Sequence, residues 1–223
     1  MIEVTRTDDV FVLTMVAEEN RFNPTMLDAF DKALSEVEAS EGPAAVVLTG
    51  QDKFFSNGLD LDWMMANAEQ GGPALVANGL QALYKRLVSF PVATVAAVNG
   101  HAFAGGGMLA LACDQIVMRT DRGFFCLPEV DINIPFTNGM AQLVQAKLTA
   151  SAAYEAMLTG RRFSAEDALA AGFVVEAVPE AEVLPAAIAR AAALTSKDRN
   201  TVATIKHRMY PGVIEALAET VDF

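Results

Sequence analysis

Residues 2 to 6 and 10 to 16 cluster or alternate β-formers on either side of Thr7-Asp8-Asp9, which predicts two strands joined by a tight turn. Helical spacing follows. Asn23 suits an N-cap and Pro24 a first helical position, and Met26, Leu27, Phe30, Leu34 and Val37 recur on one helix face up to Gly42-Pro43. Residues 44 to 48 form a short apolar run of the buried-strand type. Residues 60 to 89 read as helix, broken at Gly71-Gly72-Pro73. A strand at 92 to 98, a glycine-rich turn, an apolar helix at about 106 to 113 and a strand at 115 to 118 repeat the rhythm. From Thr137 onward helices dominate, at 138 to 148, 150 to 158, 164 to 171 and 180 to 196, with one strand at 174 to 178. The pattern is that of an α/β protein with no sequence repeat and no linker.

Composition narrows the partners. The chain has 223 residues, 52% hydrophobic, and a formal charge of −12. That charge argues against nucleic acid or an anionic membrane as partner, because both require a basic surface. No apolar stretch reaches the roughly 20 residues of a bilayer crossing, so a cytoplasmic protein is expected. Val221-Asp222-Phe223 does not match the Ser-Lys-Leu peroxisomal address. Cys113 and Cys126 are too few for a disulfide framework and lack zinc spacing, and read as buried thiols of a reducing compartment.

Three segments carry candidate chemistry: residues 54 to 61 around Gly58, residues 101 to 114 around Gly105-Gly106-Gly107, and residues 124 to 139 around Glu129. An Asn-Gly pair such as Asn57-Gly58 marks tight turns everywhere, and alone says little. Three consecutive glycines say more: they admit close approach to the backbone, and the helix that follows aims free amides at whatever lies there. Gly105, Gly107 and Ala110 also satisfy a dinucleotide-binding pattern, G-x-G-x-x-A, although six residues separate it from the strand ending at Val98 and it sits mid-chain. No G-x-S-x-G is present.

An isolated glutamate is ordinarily a solvated carboxylate. Glu129 lies instead between Leu127-Pro128 and Val130, Ile132, Ile134, Pro135 and Phe136, an apolar frame that favours a raised pKa and a basic role. Asp131 alternates with it and would share its side if the segment were extended. His101 and His207 lack partners at metal spacing and read as packed or surface residues; Trp63, Met64 and Met65 suit either core packing or an acyl pocket.

Together, in this order and separation, the three segments resemble the crotonase superfamily of enoyl-CoA hydratases and isomerases, from Ile2 to about Lys206. The resemblance implies a spiral of strand-strand-helix turns over residues 1–136 carrying the coenzyme A and catalytic site, and a helical oligomerisation region over 137–223. It implies an acyl-CoA thioester substrate, with coenzyme A as part of the substrate and no separate cofactor or metal, and a homotrimer or dimer of trimers. The amides of Leu59 and Gly106 would then form an oxyanion hole, and Glu129 would be the base. Arg21, Lys53, Ser56 and Leu61 would contact coenzyme A, with Lys206 and Arg208 as further phosphate candidates. Hydratases of the family carry a second glutamate where this chain has Leu109. Residues 122 to 132 are also similar to the short enoyl-CoA isomerases of plant peroxisomes. The implied activity is therefore 3-enoyl-CoA to trans-2-enoyl-CoA isomerisation, with hydration, another crotonase reaction or non-catalytic acyl-CoA binding as alternatives.

Overall fold

The computed structural model describes residues 1–222. Strand β1 (Ile2–Thr7) folds back on β2 (Val10–Met15) through Asp8, whose φ of 51° lies in the left-handed region that Asp tolerates in turns. Helix α1 (Pro24–Ala39) starts where expected: the Asn23 side chain accepts from the Met26 amide at 3.1 Å, and Met26, Phe30, Leu34 and Val37 are buried. Strands β3 (Ala45–Gly50) and β4 (Phe54–Ser56) then lead to α2 (Leu61–Ala66) and α3 (Gly72–Val88). The break between these helices falls at Gly71, with φ of 75°, and Pro73 occupies the first turn of α3.

The next turn runs β5 (Ala93–Val98), β6 (His101–Phe103) and α4 (Gly105–Ala112). After β7 (Gln115–Arg119) and β8 (Phe125–Cys126) come α5 (Asn138–Lys147), α6 (Ala150–Thr159) and α7 (Ala165–Ala170). Strand β9 (Glu176–Val178), α8 (Glu180–Ala192), α9 (Arg199–Met209) and α10 (Pro211–Ala216) complete the chain.

Two sheets result. The larger has the order β1-β2-β3-β5-β7-β9, parallel throughout except for the opening β1–β2 hairpin, and the smaller is parallel with the order β4-β6-β8. Each new turn therefore adds one strand to each sheet, on the same side as the last. Strand order never reverses. A dinucleotide-binding sheet reverses at a switch point, so the G-x-G-x-x-A match does not mark such a domain here.

Both faces of the large sheet are buried, which is why β2, β3 and β5 read as near-continuous apolar runs. Val12, Val47, Val95 and Val117 pack against Val183, Ala187 and Ala191 of α8. Leu13, Leu48, Ala96 and Met118 face the larger core with α1, α3 and α4. Strand β9 pairs with β7 and α8 lies across β3, β5 and β7, so residues beyond 137 complete the sheet built by residues before it.

The second sheet and the last two helices depart from the sequence expectation. Strands β4, β6 and β8 have three, three and two residues, too short to display a period of two. Helix α9 buries only Lys206, so no apolar stripe announces it. Lys206 is also no phosphate ligand. Its Nζ donates to Asp114 Oδ2 at 2.6 Å and to the Val92 carbonyl at 2.9 Å, fastening α9 to the end of β5, while Arg208 is exposed.

Removing one partner of such a pair strands the other charge in a poorly solvated place. Because Asp114 also accepts from the Thr94 amide and keeps some solvent contact, Lys206→Met is expected to lower stability by about 3 kcal/mol, the low end of the range for a broken buried pair. Urea unfolding of the two proteins measures this directly, and an unchanged midpoint would contradict it.

Candidate active site

The first site segment is the loop after β4. Gly58 has φ of 81°, and a Cβ there would sit 2.9 Å from the Phe103 carbonyl oxygen, so conformation and space both require glycine. Phe22 and Leu59 form a parallel bridge across which the Phe22 amide donates to the Gly58 carbonyl at 2.8 Å and the Asp60 amide to the Phe22 carbonyl at 3.0 Å. The Leu59 amide itself has no acceptor among the described residues.

The second segment is the turn into α4. Ala104 adopts φ 49° and ψ −120°, a strained conformation for a residue with a side chain. Its amide donates to the Cys126 carbonyl at 2.9 Å and its carbonyl accepts from Met108 at 3.1 Å, which fixes the turn at both ends. Gly106 follows, with a first-turn amide that has no acceptor among the described residues. A Cβ on Gly106 would overlap the Ser56 carbonyl, so the two segments lie directly against each other. The buried Tyr84 hydroxyl donates to the Gly105 carbonyl at 2.7 Å and secures this turn from α3.

The third segment carries the carboxylate. Residues 128–130 form one 3-10 turn after β8, and Glu129 within it is 6% exposed. Its Oε2 is buried with no hydrogen-bond partner among the described residues. Burial pushes the carboxyl up to about 7, offset only in part by its own backbone amide. Tyr84 feels this carboxyl, and is held well above its ordinary range first by burial and then by the charge of Glu129. Beside Glu129 opens a groove of about 580 Å³ lined by Val130, Asn133, Ile134, Pro135, Phe136, Met157 and Leu158.

Asp131 is not its companion. The segment is a 3-10 turn and not a strand, so positions 129 and 131 diverge; Asp131 is exposed and packs toward Gly160 on the outer side. Leu109 is fully buried in α4. Trp63 and Met64 pack on the main core and Met65 is on the surface, so none of the three lines this groove. His101 is wedged among Phe54, Phe103 and Phe124, and His207 is exposed on α9. Both thiols are buried, Cys113 pushed up to about 12 by burial. Among the described residues no three His, Cys, Asp or Glu side chains gather as a metal site, and no helix is long and apolar enough to cross a membrane.

The residues expected around coenzyme A are scattered in character. Arg21 and Leu61 lie together beside the Gly58 loop, where Arg21 pairs with Glu19 at 2.6 Å and Asp62 at 3.6 Å. An incoming phosphate must displace those carboxylates. Lys53 is exposed over the Phe54 ring at the far end of β4. Ser56 is fully buried, its hydroxyl donating to the Asn20 carbonyl and accepting from the Gly58 amide, so it shapes the loop from within.

A carboxyl poised near neutrality at the head of an apolar groove, just after the strand that pairs with β6 and is bonded to the glycine turn through Cys126, is equipped to move protons on a substrate with an apolar tail. Known proteins agree on the class. Residues 5–223 match the family described as enoyl-CoA hydratase/isomerase. The chain is 33% identical over 224 residues to enoyl-CoA delta isomerase 3 of Arabidopsis thaliana, covering 95% of this chain and 92% of that one. It is 37% identical over 175 residues to a putative enoyl-CoA hydratase of Thermus thermophilus, covering 77% and 68% respectively. The solved structure of an enoyl-CoA hydratase/isomerase family protein from Pseudomonas syringae matches with a TM-score of 0.91 at 29% identity, over 98% of this chain and 94% of that one. The spiral of strand-strand-helix turns is thus the crotonase fold. The chain belongs to the enoyl-CoA hydratase/isomerase family.

The buried carboxyl has a thermodynamic signature apart from any activity. Folded, Glu129 keeps its proton to about pH 7; unfolded, it releases it near its ordinary value of 4.5. Between those values the folded state binds more protons, so this group's contribution to stability falls as pH rises. Glu129→Gln does not titrate there. Relative to that variant the wild type is expected to lose roughly 2 to 3 kcal/mol between about pH 5 and pH 8, seen as diverging urea midpoints. Parallel midpoints across that range would mean that Glu129 titrates normally.

Proposed function

We propose that the protein is a cytoplasmic 3-enoyl-CoA to trans-2-enoyl-CoA isomerase in which Glu129 is the single side-chain base and the Leu59 and Gly106 amides bind the thioester oxygen. The observation that carries this reading is the isolation of Glu129, the only carboxylate lining the groove among the described residues. Moving a double bond from carbon 3 to carbon 2 needs one base, which removes a proton from carbon 2 and returns it to carbon 4. Hydration needs a carboxylate pair to activate water and deliver a proton. Here Leu109 and the outward Asp131 supply no second carboxylate. The similarity to the Arabidopsis delta isomerase along nearly the whole chain points the same way.

In this mechanism Glu129 approaches the C2 hydrogen from the groove while the thioester carbonyl lies against the two turns. As the C2–H bond breaks, its electrons move into the C1–C2 linkage and charge collects on the thioester oxygen. Amides fixed before the reaction meet that charge without reorganising, each worth about 2.7 to 4 kcal/mol. In this reading Arg21, Lys53 and Leu61 contact coenzyme A, and Ser56 acts through the loop it shapes. The chemistry is proton transfer alone and calls for neither metal nor nicotinamide.

Offering 3-hexenoyl-CoA and 2-hexenoyl-CoA separately tests the reading: the first should convert to the 2-enoyl product, the second should gain no water, and exhaustive chelation should leave the rate intact. Because the base works deprotonated, turnover should rise with pH through an apparent pKa near 7. Glu129→Gln should reduce turnover by roughly 100- to 10,000-fold while leaving acyl-CoA affinity nearly unchanged. Hydration of the 2-enoyl substrate, or an active Glu129→Gln enzyme, would overturn it.

The chain is also proposed to assemble as a homotrimer or a dimer of trimers. The exposed Val130, Ile132, Tyr154 and Leu158 give it apolar surface to cover around the groove. Light scattering at micromolar concentration should show three or six subunits; a clean monomer would contradict the assignment.

A further inference from the structure

Segment 17–23 runs beside segment 54–60 and is sewn to it by hydrogen bonds that centre on one residue. Asn20 is completely buried and has φ of 51°, a left-handed conformation that Asn accepts more readily than most residues. Its Nδ2 donates to the Phe54 carbonyl at 3.2 Å and to the Phe55 carbonyl at 3.1 Å, and its Oδ1 accepts from the Ala17 amide at 3.0 Å. Its own carbonyl accepts from the Ser56 hydroxyl at 2.7 Å, and that hydroxyl in turn accepts from the Gly58 amide at 3.2 Å. The Asn57 amide donates to the Glu19 carbonyl at 2.9 Å, and the Phe22–Leu59 bridge closes the far end. Every residue from Phe54 to Gly58 thus receives at least one bond from this strap.

We infer that Asn20 is a positioning residue for the reaction, holding strand β4 and the Gly58 loop so that the Leu59 amide points at the thioester oxygen. The inference rests on the reading of Leu59 as an oxyanion donor and deepens it. The side chain required is specific. It must offer two N–H donors to consecutive strand carbonyls and one acceptor to an amide, from a backbone in the left-handed region. Asn20→Asp keeps the shape and the acceptor but turns an oxygen toward two carbonyls. Asn20→Ala leaves those carbonyls and the Ala17 amide unpaired in a buried place. Neither variant touches Glu129, whose raised pKa comes from burial in the third segment.

A displacement of the order of 1 Å at a reacting group costs about 100-fold in rate. Both variants are therefore expected to lower kcat on 3-hexenoyl-CoA roughly 10- to 100-fold, with KM moved less than about threefold and the apparent pKa near 7 retained. The decisive readout is the carbonyl itself. Hexanoyl-CoA labelled with carbon-13 at the thioester carbonyl, bound to wild-type protein, should show a downfield shift from the two amides. Bound to Asn20→Asp or Asn20→Ala, it should lose most of that shift. Ser56→Ala, which keeps Asn20 and removes the hydroxyl between it and Gly58, should show the same loss in milder form if either Asn20 variant fails to fold.

Arg190→Ala serves as the control, because it removes the 2.6 Å pair with Glu176 on the opposite side of the large sheet. It should lower stability with turnover and carbonyl shift intact. If wild type converts 3-hexenoyl-CoA and shifts the carbonyl while the folded Asn20 and Ser56 variants do both equally well, the positioning role is wrong and the isomerase reading stands. If wild type does neither, the isomerase reading falls and takes this inference with it.

Discussion

Desolvation of the Glu129 carboxyl is the constraint on which the other features of the site depend. A carboxylate left in water would be too weak a base for carbon acids, and one buried with a cation would be weaker still. Here the side chain sits under apolar walls with one oxygen unbonded, and nothing basic is placed close enough to restore its ordinary acidity. That environment demands a rigid frame, since a mobile 3-10 turn would let water in. Strand β8 supplies the frame through its pairing with β6, the Ala104–Cys126 bond ties it to the glycine turn, and α6 closes the side with Met157 and Leu158.

The two amide-bearing segments meet a different requirement, that of leaving donors unsatisfied without collapsing around them. Each is held from behind. Tyr84 grips the glycine turn through the Gly105 carbonyl, and the 17–23 strap grips the Gly58 loop. The Tyr84 hydroxyl and the Asn20 amide are neutral, and neither places a cation beside Glu129 that would pull it back toward ordinary acidity. The strained dihedrals of Ala104 are sustained by bonds at both of its ends.

How much of this is legible in the sequence follows from how each residue does its work. The α1 stripe, the buried strands and the break at Gly71 are periodic or conformational signals and were readable as such. The burial of Glu129 and its raised carboxyl are readable from the apolar frame of Leu127, Pro128, Val130 and Ile132. The alternation that pairs Asp131 with Glu129 assumes an extended backbone, whereas Pro128 opens a 3-10 turn. Lys206 and Asn20 were unreadable for a common reason: each is a polar residue in a polar stretch whose partners lie 92 and 35 residues away in sequence. The second sheet escaped because strands of two or three residues have no period to detect, yet it is this sheet that brings all three site segments side by side.

The unreversed strand order has a consequence for how the molecule is made. On the ribosome, every strand after β1 emerges to find its neighbour already synthesised, so the large sheet can lengthen in step with translation without waiting for a downstream partner. The groove does not share that schedule. Glu129 leaves the exit tunnel before α6, which packs against its turn and walls the groove with Met157 and Leu158. A nascent chain halted between them holds the Glu129 carboxylate in solvent, ionised and weakly basic, and acquires a buried, more basic carboxyl only when a helix made some 25 residues later, by the numbering, settles against it.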